Sequence, residues 1–368
     1  MIGVVQGEPP FEKRLIPGQE QVTHRSSGGR VMAKLISPEI DSLLEQTSRS
    51  FYLTLKVLPS KIRCQIGLLY LLARLADTIA DSASGDTNQL IDNIGEYNEH
   101  AQGTRETAPN LHDLAQVQTN LDEAKLLEKV GEVVRSLQRF SDADQKRIRH
   151  CLDTIVSGQT LDLQRFGNVE KGTITPLSDD NELDDYTYRV AGCVGEFWTA
   201  MSLAHCIKAD AETQKLMFEQ GVRFGKALQL INILRDIPAD LALGRCYIPI
   251  DSMAKNDLVP SDLQDHENME KFRPLFDSYL DLAWGHLDAA VEYIGLLPKS
   301  QFRLRAACML PVLIGQRTLT LLGSQNVLDG NNRVKVLRPE IKRLKNKTLL
   351  AMFFKKKCMK ILRANRHL

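Results

Sequence analysis

From Ser37 onward the chain is patterned with one period: apolar residues return every three to four positions, and strand-like alternation is scarce. Stripes of this kind are buried by packing helix on helix, so 368 residues so patterned point to an all-α fold. Ser37 and Pro38 form an N-cap and first-turn pair, and apolar spacing continues through Ile40–Leu55. Lys61–Ala80 is apolar on several sides and belongs in the interior. Gly85–Asn110 is of mixed polarity and ends in the loop Gly103–Pro109. Further helices are expected over Leu121–Leu137, Asp144–Phe166, Asp184–His205, Thr213–Arg235, Phe272–Ile294 and Gln301–Leu322. Asn168–Asp180 and Gly244–Pro249 read as connections, and Asp329–Asn332 as a turn. No repeat, coiled-coil heptad or long linker interrupts the series, which favours one domain over 37–350.

Composition narrows the function classes. A net charge of +1 argues against bulk nucleic-acid binding, which needs a strong basic excess. Seven cysteines without a CxxC pair or metal-ligand spacing read as reduced core thiols in the cytoplasm. No apolar run approaches the ~20 residues of a spanning helix; the longest, around Ala306–Gly315, contains Pro311. Residues 1–36 lack a signal-peptide core and read as a disordered leader, with Met32 an alternative start. Residues 351–368 mix Leu, Met and Phe with lysines, a basic amphipathic tail suited to peripheral contact with anionic lipid. The residues leave the oligomeric state open.

Two aspartate pairs carry the chemistry. Asp77/Asp81 in LLARLADTIADS and Asp236/Asp240 in NILRDIPADLALGR share an i,i+4 spacing, which puts both carboxylates of a pair on one helix face. Like charges so placed weaken a helix, and both pairs sit in apolar stretches. Solvated helix faces are the competing interpretation of either pair alone. Facing each other across a cavity, the two pairs would hold Mg²⁺, which accepts a few carboxylates, keeps waters and takes phosphate oxygens from its substrate. Tyr70 and Ala73 precede the first pair on its face; Gln229 and Asn232 precede the second. Arg74 and Arg235 accompany the pairs and, with Arg49 and Arg245, offer forked donors for a diphosphate.

Five segments in order, TSRSFYLTLKVLP, YLLARLADTIADS, SGQTLDL, YTYRVAGCVGE and FGKALQLINILRDIPADLALGRCYIP, resemble the squalene/phytoene synthase family of head-to-head prenyl diphosphate synthases. The resemblance spans roughly Ser48 to Leu322, arguably to Leu350, and is most like a bacterial-type squalene synthase. It implies an isoprenoid-synthase-type helical bundle around a central cavity. It also implies that two farnesyl diphosphates are condensed through presqualene diphosphate, with NADPH reduction to squalene. Phytoene or dehydrosqualene synthesis, arrest at presqualene diphosphate, and a non-enzymatic assembly role are the alternatives. All four aspartates are kept, which argues against the last.

On that basis Asp77, Asp81, Asp236 and Asp240 are metal ligands, and Tyr186 or Tyr188 is the catalytic tyrosine. Arg49, Ser50, Phe51, Tyr70, Arg74, Gln229, Asn232, Arg235 and Arg245 meet substrate. Phe51, Tyr52, Tyr70, Phe197 and Trp198 would line a dry space for carbocations. Arg333, Lys335 and Arg338 would contact NADPH phosphates. Ala191, Gly192 and Gly195 form a small-residue patch that packs helices and, in this family, borders the prenyl tunnel. Two departures stand out: Arg189 replaces a tyrosine often found before VAG, and Pro238 lies inside the second pair, where the helix should kink or end.

Overall fold

The computed structural model describes residues 35–48, 50–82, 86–168 and 172–364. The leader up to residue 34, with Met32, and Arg49 lie outside them. Thirteen helices organise the chain: α1 Pro38–Ser48, α2 Ser50–Val57, α3 Ser60–Ala80, α4 Thr87–Gln102, α5 Leu121–Glu128, α6 Asp142–Phe166, α7 Asp180–Thr187, α8 Cys193–His205, α9 Ala211–Ala242, α10 Met269–Leu296, α11 Phe302–Ser324, α12 Arg338–Ala351 and α13 Lys355–Ala364. Shorter helical turns lie between them. Among the described residues the sole β structure is a two-residue parallel pair, β1 Thr175–Pro176 with β2 Arg245–Cys246.

The interior helix is α3. It buries fifteen of its side chains, and Tyr70, Arg74 and Asp77 are among the few it leaves unburied, at a spacing that sets them on one face. Each buried Leu or Ile contributes about 1.5–3 kcal/mol, so this helix cannot rotate to any other face without large loss. α6, α4 and α8 pack on it; α9 packs on α8 and α10, and α10 on α11. α11 is long and apolar enough to cross a membrane by length and composition, but most of it is buried against its neighbours. It joins two apolar stretches that the sequence splits at Pro311.

Two local features differ from expectation. The predicted continuous helix Asp184–His205 is broken into α7 and α8 by a π-helical turn, Tyr188–Gly192. Gly225 explains the tolerance: a Cβ there would run into the Ala191 carbonyl, and one on Gly195 into that of Gly221. Backbone therefore meets backbone between the π turn, α8 and α9. Conversely, α9 does not end at Pro238 but continues to Ala242. The ring removes one ladder bond in the last turns, and the amides of Leu243 and Gly244 still close on Asp240 and Leu241. The loop at Gly330 packs against the Pro238 ring.

At the C-terminus the tail helix α13 turns its apolar face inward: Cys358 and Leu362 are fully buried against α10 and α11. The expectation that this face meets lipid is corrected, because the protein core already occupies it.

Candidate active site

α3 and α9 run alongside an apolar cavity and contribute in the same order. From α3 come Ile66, Leu69, Tyr70 and Ala73, then Asp77 and Asp81; from α9 come Gly221, Phe224, Gly225 and Gln229, then Asn232, Asp236 and Asp240. Both therefore run from hydrocarbon wall to carboxylate. Phe51 and Thr54 of α2, Phe197 and Trp198 of α8, Tyr293 of α10 and Ala307, Cys308 and Pro311 of α11 complete the wall. Phe51 stacks on Tyr70 with ring centroids 4.8 Å apart. Tyr52 is not part of it: its hydroxyl donates to Asp41, 3.3 Å away. Ala191 and Gly195 both line the cavity and allow the close approach of α9, so the small-residue patch has both expected roles. Gly158 packs against Arg189 and Val190 of the π turn. Arg189 itself donates to Asp185 and Ser157.

The carboxylate end is electrostatically strained. Asp81 caps α3, and Asp236 and Asp240 lie in the last turns of α9. Helix C-termini carry partial negative charge, so acidic groups add to the same sign. Burial, reinforced by Asp81, pushes the Asp77 carboxyl up to about 7. Burial and neighbouring Asp236 push Asp240 to about 7 as well. Asp236 goes the other way. Burial would raise it, but the guanidiniums of Arg235 and Arg333 outweigh that and hold it below the usual carboxylate range. Arg235 donates through Nε at 2.9 Å, and Arg333 through Nη2 at 2.6 Å.

The first pair is set differently. Asp77 accepts from Gln159 of α6, and Arg74 is turned to Glu123 of α5 at 2.5 Å, with Asp77 at 4.0 Å. Arg245 bridges toward the first pair, 3.7 Å from Asp81, while its charge is also felt by Asp240. The β1–β2 pair holds Arg245 there. α9 ends, Gly244 turns the chain at φ 75°, a conformation glycine tolerates, and Arg245 aligns with Thr175.

Behind Arg245 lies a buried cluster. Tyr247 donates to Asp162 at 2.6 Å and Tyr186 at 3.1 Å, and the two rings stack at 4.7 Å. Burial lifts Asp162 to about 6, against the pull of Tyr247, Arg245 and Tyr186. The second oxygen of Asp162 is buried without a partner among the described residues. Tyr186 thus sits at the carboxylate end. Tyr188, in the π turn, donates to Glu196 at 3.0 Å, with Lys226 above its ring.

The predicted residues Asp77, Asp81, Asp236, Asp240, Arg74, Arg235, Arg245, Tyr70, Phe51, Gln229 and Asn232 are brought around this one cleft, whereas Arg49 lies outside the described residues. Ser50 opens α2. Arg333, expected at a dinucleotide, is instead on Asp236, while Lys335 and Arg338 are exposed beyond it. Glu123, Gln159 and Tyr247 were missed. Gln159 stood inside SGQTLDL and Tyr247 inside GRCYIP, but no local pattern ties either to an aspartate far away in sequence.

Six carboxylates (Asp77, Asp81, Asp162, Asp236, Asp240, Glu123) face four guanidiniums (Arg74, Arg235, Arg245, Arg333). Among the described residues no three His, Cys, Asp or Glu side chains converge as a ready metal cage. Paired carboxylates with excess negative charge fit Mg²⁺, which completes its shell with water and phosphate oxygens.

A model of the squalene/phytoene synthase family matches residues 44–340. A bifunctional lycopene cyclase/phytoene synthase of Podospora anserina is 27% identical over 267 residues, 70% of this chain and 42% of that protein. One from Blakeslea trispora is 27% identical over 311 residues, 80% of this chain and 47% of that protein. The chain thus spans less than half the length of these curated relatives. Among solved structures, TcSQS with the ligand E5700 aligns with a TM-score of 0.70 at 21% identity, over 89% of this chain and 90% of that one. A squalene synthase of Alicyclobacillus acidocaldarius gives 0.57 at 18%, over 81% of this chain and 96% of that one. These two likenesses establish the all-α fold. With the family match covering most of the chain and the prenyltransferase cavity in place, the protein belongs to the squalene/phytoene synthase family.

Proposed function

We propose that this prenyltransferase joins two prenyl diphosphates head to head at the cleft between α3 and α9, with Mg²⁺ bound by Asp77, Asp81, Asp236 and Asp240. The observation that carries this is the shared polarity of the two helices: hydrocarbon wall first, carboxylates last. A substrate with a long apolar chain and an anionic head has one way to lie in it. Bound Mg²⁺ would supply the positive charge that favours departure of pyrophosphate. Arg74, Arg235 and Arg245 hold the diphosphate oxygens as the bond breaks. Phe51, Tyr70, Phe197 and Trp198 keep water from the allylic cation, and their π faces stabilise it. The double bond of the second substrate attacks C1 of the first, and a proton is lost as the cyclopropane closes. Tyr186 is the better placed of the two tyrosines, since its phenol lies with Asp162, Tyr247 and the Arg245 charge at the leaving-group end.

The product we assign is squalene from two C15 units. Its support is the basic stretch Arg333–Arg338, which passes the carboxylate end at Arg333 and offers charge for NADPH phosphates. A second reading, phytoene from C20 units without a reductant, is favoured by the names of the curated relatives. Peripheral contact with lipid belongs to either, because substrates and products are greasy. Incubation with farnesyl or geranylgeranyl diphosphate and Mg²⁺, with and without NADPH, tests the assignment. Squalene formed only with NADPH supports it. Phytoene from the C20 substrate alone overturns the squalene assignment but keeps the site. No coupled product from either substrate overturns the enzyme reading.

A further inference from the structure

We propose that the turn between α12 and α13 is a docking surface for an anionic lipid bilayer. Leu350, Phe353 and Phe354 are 71%, 62% and 64% exposed, adjacent in the chain and projecting from one turn. Large apolar side chains grouped in this way mark an interaction site more often than singly scattered ones do. Phe353 also touches Phe302 at the start of α11, with ring centroids 4.9 Å apart.

The surroundings specify the partner. Lys355, Lys356 and Lys357 follow directly, and Lys299 and Arg303 lie on the neighbouring turns. None of these five pairs with an acidic side chain among the described residues. From Arg338 to Arg363 there are ten basic residues and one acidic, in a chain whose net charge is +1, so the positive excess is concentrated here. Aromatic side chains within unpaired lysines match a surface that is apolar beneath and anionic on top, which is a bilayer with acidic headgroups.

The turn is held in place before any lipid arrives. Arg305, fully buried, donates to the carbonyl of Met352 at 2.9 Å and to those of Pro298 and Lys299 at 2.8 and 3.1 Å. Its charge lies at the C-terminal ends of α10 and α12, where helix carbonyls accept it. On the other side, Gln316 donates to the Leu362 carbonyl at 2.8 Å and fixes α13. The tail helix thus spends its apolar face on the core, and the turn alone presents apolar groups outward. α11, which bears Phe302, also supplies Ala307, Cys308 and Pro311 to the cavity wall, so the docking turn and the prenyl site share one element.

The test is co-sedimentation of the full chain with phosphatidylcholine vesicles, with and without phosphatidylglycerol. Binding that requires phosphatidylglycerol and weakens with salt is expected. Phe353→Ser with Phe354→Ser should weaken it by roughly tenfold or more, and Lys356→Gln and Lys357→Gln by about fivefold each. Thermal melts identify any variant that misfolds. As a second readout, Phe353→Trp should gain fluorescence that brominated lipid quenches beyond the wild-type level. Equal binding to both vesicle types, or wild-type binding by the double Phe variant, overturns the proposal. So does a dimer that the double Phe variant dissociates, in a protein that ignores vesicles. None of these readouts depends on which prenyl diphosphate is the substrate.

Discussion

The two aspartate pairs share a spacing but not an environment. Asp236 is neutralised by the protein itself, gripped by Arg235 and by Arg333 from a distant loop. Asp77 has an amide, Gln159, and an arginine whose shorter contact is with Glu123. Its carboxyl, like that of Asp240, is pushed up to about 7, because burial and a like-charged neighbour penalise ionisation. One position is thus stable as an anion without metal, and two others carry a cost that a cation would remove. Identical sequence spacing fixes direction on a helix; what the carboxylate then does depends on partners brought from elsewhere in the chain.

The largest expected effect comes from the costly positions. Asp77→Asn and Asp240→Asn each remove a metal-facing charge and should lower the turnover of prenyl diphosphate on the order of 10³-fold, the scale of losing a transition-state electrostatic contact. Steady-state rates at saturating Mg²⁺ check this, and a loss under tenfold would mean that the pair is structural.

Next is pH. The raised folded-state values of Asp77 and Asp240, about 7 against a usual 3.8, mean that the metal-free fold holds extra protons between those values. Its stability contribution from these groups is present at low pH and is lost as pH rises through about 7. Mg²⁺ needs the ionised forms, so its affinity should rise at least about tenfold from pH 6 to pH 8. Calorimetric titration of Mg²⁺ at both values measures it. Chelation should correspondingly lower the melting temperature more at pH 8.

Stability separates the positions in the opposite sense. Asp236→Asn leaves Arg235 and Arg333 without their shared acceptor and should cost about 1 kcal/mol, discounted because Arg333 is 39% exposed. Asp77→Asn should be neutral or stabilising in the metal-free protein. Urea unfolding without Mg²⁺ tests the contrast, and equal losses would erase it.

The smallest effect concerns Arg333 alone. A metal at Asp236 competes with this guanidinium, so Arg333→Ala should tighten Mg²⁺ binding without substrate by a few-fold. Weaker binding would show that Arg333 assists the metal instead.

Much of this was legible in the sequence, because it is written in local periodicity. The buried faces of α3 and α9, the two aspartate pairs and most of the cavity wall follow from spacings of three and four. The π turn at Tyr188–Gly192 was not legible, since its cause is the contact of Gly225 and Gly195 with backbone on a neighbouring helix. Pro238 misled for a related reason: propensity ends a helix there, but the packing of α9 and its capped last turn carry it on. The tail misled through its pattern, for an amphipathic helix is equally suited to a membrane and to the protein beneath it. Only Arg305 and Gln316, whose bonds fix the turn and α13, decide for the protein.

The most direct measurement is Mg²⁺-dependent pyrophosphate release coupled to carbon–carbon bond formation, with C15 and C20 prenyl diphosphates, in wild type, Asp77→Asn and Asp240→Asn. The coupled product should form with Mg²⁺ in wild type, disappear on chelation, and fall on the order of 10³-fold in both variants. Undiminished product without Mg²⁺, or wild-type rates from either variant, would contradict a site built from both pairs.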